Sequence, residues 1–559
     1  MHRRGRQAWC GAAPGAALAA ALVAALVTVS SPAARAGAPD LACAWPMYGH
    51  DPGHTARLPD GCSVLRALNA PTLNPKWVFL TPDSVTASPV VVDRTLYVGD
   101  WAGTFYALPT DAPAGSLTVT PRWTFRIDDG NDVAFGRIVS TAAFVRTGGY
   151  DVVVFAGGAT LYALDAHDGT VLARLCLDPR ADPSVRCHSS EGEVEIESSP
   201  SIVRHGDETW VLVGMDVHND QGVGRTGVVA LALRPGLPGD STALRFDPIW
   251  KFDPEARTAY HGAGLLTVGA GTGSGCAGVW SSPAVDVARD LVFFGTSSCS
   301  VDGVDSGEHV WAVRLGSGDL VWSYGPPRQS TRDDDDFGAS PNLLPGGLVG
   351  EGGKDGWYYA FDEEPGPGGT AQLRWRAHVG ESGHLFTDFA VGGVIGTPAT
   401  GTVRGQPAVF VTTAISTPLD TPLDRGGTID PTLLDDPGRL LSLSAIRARD
   451  GAVLWRSILP RQSYGPPTFV NGVVLVPSTF DFSIGAYDAD TGLPLATWPV
   501  GGAPSSAPVP SGDSVYVGAG TRTTDVEFKA FGADALSPLL GASPLSPLSG
   551  VWAFQVAPG

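Results

Sequence analysis

The chain has 559 residues, 43% of them apolar, with 72 glycines, 46 prolines and a formal charge of −20. That apolar share suffices for a core and argues against a disordered chain, while the glycine and proline content predicts many turns. The acidic balance repels phosphate backbones and anionic lipid, so nucleic acid is a poor partner and a neutral substrate or a cationic redox partner fits better.

In chain order, residues 1–36 come first. His2, Arg3, Arg4 and Arg6 form a basic head, 16–29 (AALAAALVAALVTV) is a short apolar stretch, and Ala34-Arg35-Ala36 is a small-x-small cleavage site. The pattern predicts a secretory signal peptide, too short for a spanning helix. Its four arginines leave with it and no acid does, which takes the formal charge from −20 to −24. No later stretch is apolar and long enough to cross a bilayer. The expectation is an exported protein, periplasmic or extracellular, with 37–559 as a single domain. Six cysteines remain after Cys10 is lost, and an even set in an exported chain predicts disulfides. Among the connectivities they allow, nearest-neighbour pairing is expected: 43–62, 176–187 and 276–299. There is no C-x-x-C-H, so covalent haem is not expected, and no C-x-x-C pair that would suggest structural zinc.

From residue 87 onward the sequence repeats. The theme is small-small-Pro, a β-rich run, a turn, a run ending near Ala-Leu-Asp, then a run carrying Trp. ASPVVVDRTLYVGDWAGTFYALPT (87–110) opens the series, STAAFVRTGGYDVVVFAGGATLYALDAHDGTVLARL (140–175) follows, and SSAPVPSGDSVYVGAG with GVWAFQV ends it, for eight units in all. Short alternating runs bounded by Gly, Asp or Pro predict antiparallel strands. DAHDG, RARDG and DADTG predict hairpin turns in which glycine accepts positive φ. No window carries a sustained helical period. The predicted fold is all-β: an eight-bladed β-propeller of four-stranded antiparallel blades. Trp123, Trp250, Trp322, Trp375, Trp455 and Trp498 fall in the last run of a unit, and Trp77 precedes the first unit. The N-terminal strand around Trp77 is therefore expected to close the ring as the outer strand of the last blade, leaving no long open edge. These seven indoles are read as filling between blades.

The repeats, together with AWPMYGHDPGHT (44–55) in the opening segment 44–76, resemble the pyrroloquinoline quinone (PQQ) repeat propellers of the quinoprotein alcohol dehydrogenases. Within that family the chain is most similar to the polyvinyl alcohol dehydrogenase-like group. The resemblance implies an alcohol substrate, PQQ and Ca²⁺ as cofactors, and a separate electron acceptor such as a cytochrome. It also implies site residues. VWSSPAVD places Trp280 as the aromatic floor for the quinone and Asp286 at a strand end. Asp336-Phe337-Gly338, in TRDDDDFGASP, matches the step that carries the catalytic aspartate, with Asp336 also a metal ligand. Lys354 in GGKDGWYYAFD matches the residue that meets the quinone oxygens, and Arg137 in FGRIVSTAA the one that meets a cofactor carboxylate. The metal set departs from the pattern. The asparagine ligand falls on Ser298, and the glutamate ligand on Asn219, with Asp220 or Asp216 as substitutes.

Plainer readings stand beside these. Trp280 could plug the central channel, the four aspartates could form a solvated loop, and Lys354 or Arg137 could be ordinary loop cations. His50 and His54 read as exposed loop residues rather than as a metal pair. The function expected is oxidation of a secondary alcohol or polyol, polymeric ones included. The alternative is a propeller that binds a protein or glycan without a cofactor.

Overall fold

The structure is a computed structural model. It describes residues 41–557 except 117–118, 131–132, 134–135, 179–186, 188–193, 218–225, 263, 268–276, 298–305, 328–334, 381–383, 387–388, 391–392, 414–441, 460–462 and 521–547. Eight antiparallel sheets follow one another as blades, over residues 90–126, 143–176, 201–261, 284–324, 342–378, 399–458, 468–499, and 509–556 with 73–80. In blade 8 the strand Leu73–Leu80 lies outside Gly550–Val556, pairing Val78 with Trp552 and closing the ring with the two ends of the chain. Blade 3 exceeds the expected four strands: Val194–Glu195 pairs with the end of Glu208–Val217, and Thr258–His261 adds a strand outside Leu244–Asp253. Both additions sit on strands of 10 residues, long enough to hold partners beyond the common blade height.

The small-small-Pro theme has a structural cause. Its Ser or Thr accepts a hydrogen bond from the backbone N–H of the equivalent position in the preceding blade. Ser88 donates to Thr141, Thr141 to Ser199, Ser199 to Ser282, Ser282 to Ser340 and Ser340 to Thr397, at 2.8–3.0 Å. Ala507 of blade 8 donates to Ser88 Oγ and completes the link back to blade 1. A hydroxyl is needed because these buried N–H groups face a neighbouring blade rather than a ladder partner.

The last-run tryptophans join the blades farther out. Trp123, Trp250, Trp322, Trp375 and Trp455 donate Nε1–H to carbonyls of Ala166, Leu315, Glu363, Ala448 and Ala489 in the next blade, at 2.8–3.0 Å. Four of these indoles lie on a turn glycine of that blade, Gly169, Gly318, Gly451 or Gly492, where φ is +73° to +76° and a Cβ would collide with the ring. The same glycines thus satisfy both the hairpin turn and the inter-blade contact.

The opening segment is not a loose lead-in. It runs along the inner strands of the blades in order. Trp45 exchanges hydrogen bonds with Val91, Pro46 accepts from Phe144, Pro52 from Val285, Gly53 from Leu343, Thr55 from Thr400 and Ala56 from Phe469, and Val64 donates to Gly512. His54 reaches blade 3, with Nε2 3.3 Å from Ser201 Oγ. The reading of His54 as an exposed loop residue is corrected. It is fully buried, its Nδ1 donates to the Pro341 carbonyl at 3.0 Å, and burial pulls its pKa down to about 4, so it is neutral.

Disulfides join Cys43 to Cys62 and Cys176 to Cys187, as expected. The pair 276–299 lies outside the described residues. No helix among the described residues is long and apolar enough to cross a membrane.

Candidate functional site

The hydroxyl ring places the site. Trp280 lies two residues before Ser282, and Asp336 four residues before Ser340, so both stand where the chain enters the inner strand of blades 4 and 5. Gly338 holds in blade 5 the place that Trp280 holds in blade 4, and a Cβ there would overlap the six-membered ring of Trp280. The glycine of the Asp-Phe-Gly step therefore admits the indole. Phe337 is buried and anchored, its N–H donating to the Thr296 carbonyl at 3.2 Å. That anchor turns Asp336 toward the indole, and Trp280 Nε1 donates to Asp336 Oδ2 at 3.2 Å.

Lys354 completes the group from the next turn of blade 5, just before the strand Trp357–Asp362. Its backbone N–H donates to the Asp336 carbonyl at 3.0 Å. Its Nζ lies 2.9 Å from Asp336 Oδ1 and 5.5 Å from the centroid of the Trp280 ring. The side chains of Lys354 and Asp336 are only 11% and 5% exposed. A pair so buried holds together because each partner, and the face of an indole, replaces the water both have lost. Trp280 is partly buried. The arrangement offers a flat π surface, one cation and one carboxylate within a single turn of each other. It can stack a planar ring, meet electron-rich oxygens at the cation, and take up a proton at the carboxylate.

The surface-loop reading of the aspartate run is corrected at Asp335 and Asp336, which are buried; Asp333 and Asp334 lie outside the described residues. The cation that makes the inward Asp336 tolerable is Lys354. The described contacts of Arg137 lie elsewhere. It occupies in blade 2 the place of Asp336 in blade 5, donates Nη1–H to the Asp129 carbonyl at 3.1 Å, and packs beside Gly103 in the seam of blades 1 and 2. Of the expected metal ligands, Asn219, Asp220 and Ser298 lie outside the described residues. Asp216 is described and buried, packed against Gly278, which lies two residues before the indole, and close to Ser297. Among the described residues no three His, Cys, Asp or Glu side chains gather as a metal site.

Sequence reasoning missed two further acids of the same seam. Glu351, on the strand Leu348–Gly352, is fully buried, and burial holds its carboxyl well above the usual carboxylate range. Glu363 lies beside Asp286 at the far end of blade 5. For Glu351 the signal was an acid within an otherwise apolar strand; for Glu363 there was none, because its partner is distant in sequence.

The fold defines an eight-bladed β-propeller. Residues 45–366 match the family described as glucose/ethanol/alcohol dehydrogenase, β-propeller domain, the PQQ family, and the chain belongs to it. Residues 441–533 match a second family, described as outer membrane protein assembly factor BamB. No curated protein matches the chain in sequence. Among solved structures, a europium-containing methanol dehydrogenase is similar over 92% of this chain and 98% of its own, with a TM-score of 0.63 and 17% identity. The quinohemoprotein alcohol dehydrogenase from Comamonas testosteroni is similar over 92% of this chain and 80% of its own, with a TM-score of 0.57 and 16% identity. At such identities the likeness speaks for the fold.

Proposed function

We propose that the chain is an exported PQQ-dependent dehydrogenase of the polyvinyl alcohol dehydrogenase-like group, oxidising a secondary alcohol or polyol and passing electrons to a separate acceptor. The observation that carries this reading is the convergence of Trp280, Lys354 and Asp336 at one turn of the blade 4–blade 5 seam. The described residues fit a planar quinone: a partly buried indole, a lysine beside it, and a glycine, Gly338, whose missing Cβ sets the ring in place. PQQ, when bound, supplies the hydride acceptor. Trp280 would stack on its ring, and Lys354, whose Nζ lies 2.9 Å from Asp336 Oδ1, would meet its oxygens. Asp336 accepts the alcohol proton on a carboxylate oxygen. To do so, that oxygen must turn from Lys354 or Trp280 toward the substrate, so the ion pair also serves as the resting clasp of the base. Ca²⁺ would take its oxygen donors from Asp336 and the segments holding Asn219, Asp220 and Ser298.

The departures at 219 and 298 favour a second reading, a propeller that binds a protein or glycan without a cofactor. Mixing the purified mature chain with PQQ and Ca²⁺ separates the two. Quinone absorbance retained through gel filtration, dye-linked oxidation of 2-hexanol or polyvinyl alcohol, and loss of both in Asp336→Ala and Lys354→Ala support the dehydrogenase. No retention at micromolar PQQ leaves the binding propeller.

A further inference from the structure

At the Lys354 end, the rim of blades 3 to 6 carries three arginines that no carboxylate answers. Arg257 lies in the turn before the added strand Thr258–His261 of blade 3, Arg376 on the outer strand Leu373–His378 of blade 5, and Arg456 on the outer strand Val453–Ile458 of blade 6. All three are exposed, and none makes an ion pair among the described residues. Their neighbours behave otherwise. Arg374, on the same strand as Arg376, pairs with Asp362 at 3.3 Å, and Arg314, toward the far end of blade 4, pairs with Glu364 at 3.8 Å. In a chain with a formal charge of −20, exposed cations left without acids are the exception.

The three are held in place by other means. The guanidinium carbon of Arg376 stands 4.3 Å from the centroid of the Trp357 ring, and that of Arg257 stands 4.9 Å from the centroid of the Trp311 ring. Arg257 Nη2 donates to Ser323 Oγ at 2.7 Å, and Arg456 Nη2 to the His378 carbonyl at 3.0 Å. The His378 ring lies 4.8 Å from that of Trp357. Tyr324, next to Ser323, stands 5.9 Å from Tyr359 and feels the charge of Arg376. Cations of three blades thus join through aromatic rings into one band. The acids beside it do not neutralise it: Asp355 accepts from the Tyr359 hydroxyl and the Trp357 N–H, and Glu255 shares a turn with Arg257 without pairing to it. A guanidinium has five N–H donors, so each of these keeps most of them for a ligand.

We propose that this band docks an acidic segment of a partner protein, whose carboxylates meet Arg257, Arg376 and Arg456 while its apolar side chains lie against Trp357 and Tyr324. Charge complementarity selects the acidic partner. Guanidiniums fixed in plane match carboxylates bidentately, and arginine beside tryptophan and tyrosine is the composition of interface hot spots. A protein fits better than an acidic glycan, because Leu373–His378 is the last strand of its sheet and its edge can pair with a second main chain. The acidic balance of the whole chain repels such a segment, so the band sets its orientation as well as its place. None of this depends on the dehydrogenase reading.

The test uses the full mature chain without cofactor and, as probe, a fluorescein-labelled oligoglutamate peptide followed by anisotropy at low salt. The parent should bind it saturably, and raising the salt from about 50 to about 200 mM should weaken binding severalfold. Arg257→Gln combined with Arg376→Gln should weaken it about tenfold or more, and Trp357→Ala about threefold. Arg374→Gln, which removes a cation already paired on the same strand, should stay within about twofold of the parent. The exchanged arginines are exposed, so the melting temperature of the double variant should match the parent's and show that the fold is kept. Absence of saturable binding overturns the proposal. Equal weakening in Arg374→Gln does so too, because the peptide would then be reading net charge alone. Binding of a heparin fragment where oligoglutamate is refused would give the band to an acidic glycan and likewise overturn it. PQQ plays no part in these readouts, so their failure and that of the dehydrogenase reading are told apart.

Discussion

The two ends of the blade 4–blade 5 seam solve one problem differently. Trp280 precedes the inner strand Ala284–Asp286 of blade 4, and Asp286 ends it; Lys354 precedes the strand Trp357–Asp362 of blade 5, and Glu363 follows it. Each end thus carries a buried acid and a cation. At the Lys354 end the described contacts pair one carboxylate with one ammonium under an indole. At the far end two carboxyls share one guanidinium, with Arg289 Nη1 2.6 Å from Asp286 Oδ2 and 3.5 Å from Glu363 Oε2. Burial, the hydrogen bond to Asp286 and its charge push Glu363 up to about 8, so it keeps a proton and donates it to Asp286. Burial works against Asp286 as an anion, yet the bonds from Glu363 and Arg289 hold it below its ordinary value. One end balances charge with a lysine, the other with a shared proton.

The largest way to break this comparison is to remove the two cations in turn. Lys354→Met should cost about 3–5 kcal/mol, because it strands a buried carboxylate. Arg289→Met should cost under about 1 kcal/mol, because that guanidinium is 44% exposed and water replaces it. Adding Asp336→Asn to Lys354→Met should return most of the loss. Urea denaturation of the three variants measures this, and equal costs for the two single changes would show that the ends are alike.

Next in size is the response to pH. Glu363 has its folded-state pKa raised from 4.5 to about 8, so the folded chain holds a proton that the unfolded chain releases. The stability tied to that proton is fully present below pH 4.5 and is lost as pH rises through about 8, by an amount on the order of a few kcal/mol. Glu363→Gln should flatten this part of the stability curve between pH 5 and 9. If parent and variant fall in parallel over that window, the shared proton is not there.

The two ends also differ in how much the sequence disclosed. The fold was legible because its causes are local and repeated: the Ser or Thr before proline, the turn glycine under the next indole, and the alternation of short strands. Trp280, Asp336 and Lys354 were legible because a family motif surrounds each. Arg137 was read by the same reasoning, and its described hydrogen bond is to the Asp129 carbonyl in the seam of blades 1 and 2. The Asp286–Glu363 pair was not legible, since no motif links residues on two blades whose meeting depends on the ring. Nor was the burial of His54, which results from a segment bonded to one blade after another. The added strands of blade 3 escaped because the repeat pattern describes the common blade, not its extensions.

The smallest change sharpens the comparison by touching the ring that lies between the two ends. Ser340 Oγ accepts the buried N–H of Ser282, two residues after Trp280, at 2.8 Å. Ser340→Ala leaves that donor unpaired and should cost about 1–2 kcal/mol. The loss should be uneven along the seam. Trp280 and Asp336 hang from Ser282 and Ser340 by two and four residues, so the amide of Phe337 should exchange faster. Glu363 hangs from the far strand, where Trp322 Nε1–H grips its carbonyl at 2.9 Å independently of the ring. The pH dependence of stability that Glu363 sets should therefore survive Ser340→Ala unchanged. Loss of that dependence together with the loosened Phe337 amide would mean that the seam responds as one body, and that its two ends are not separate devices.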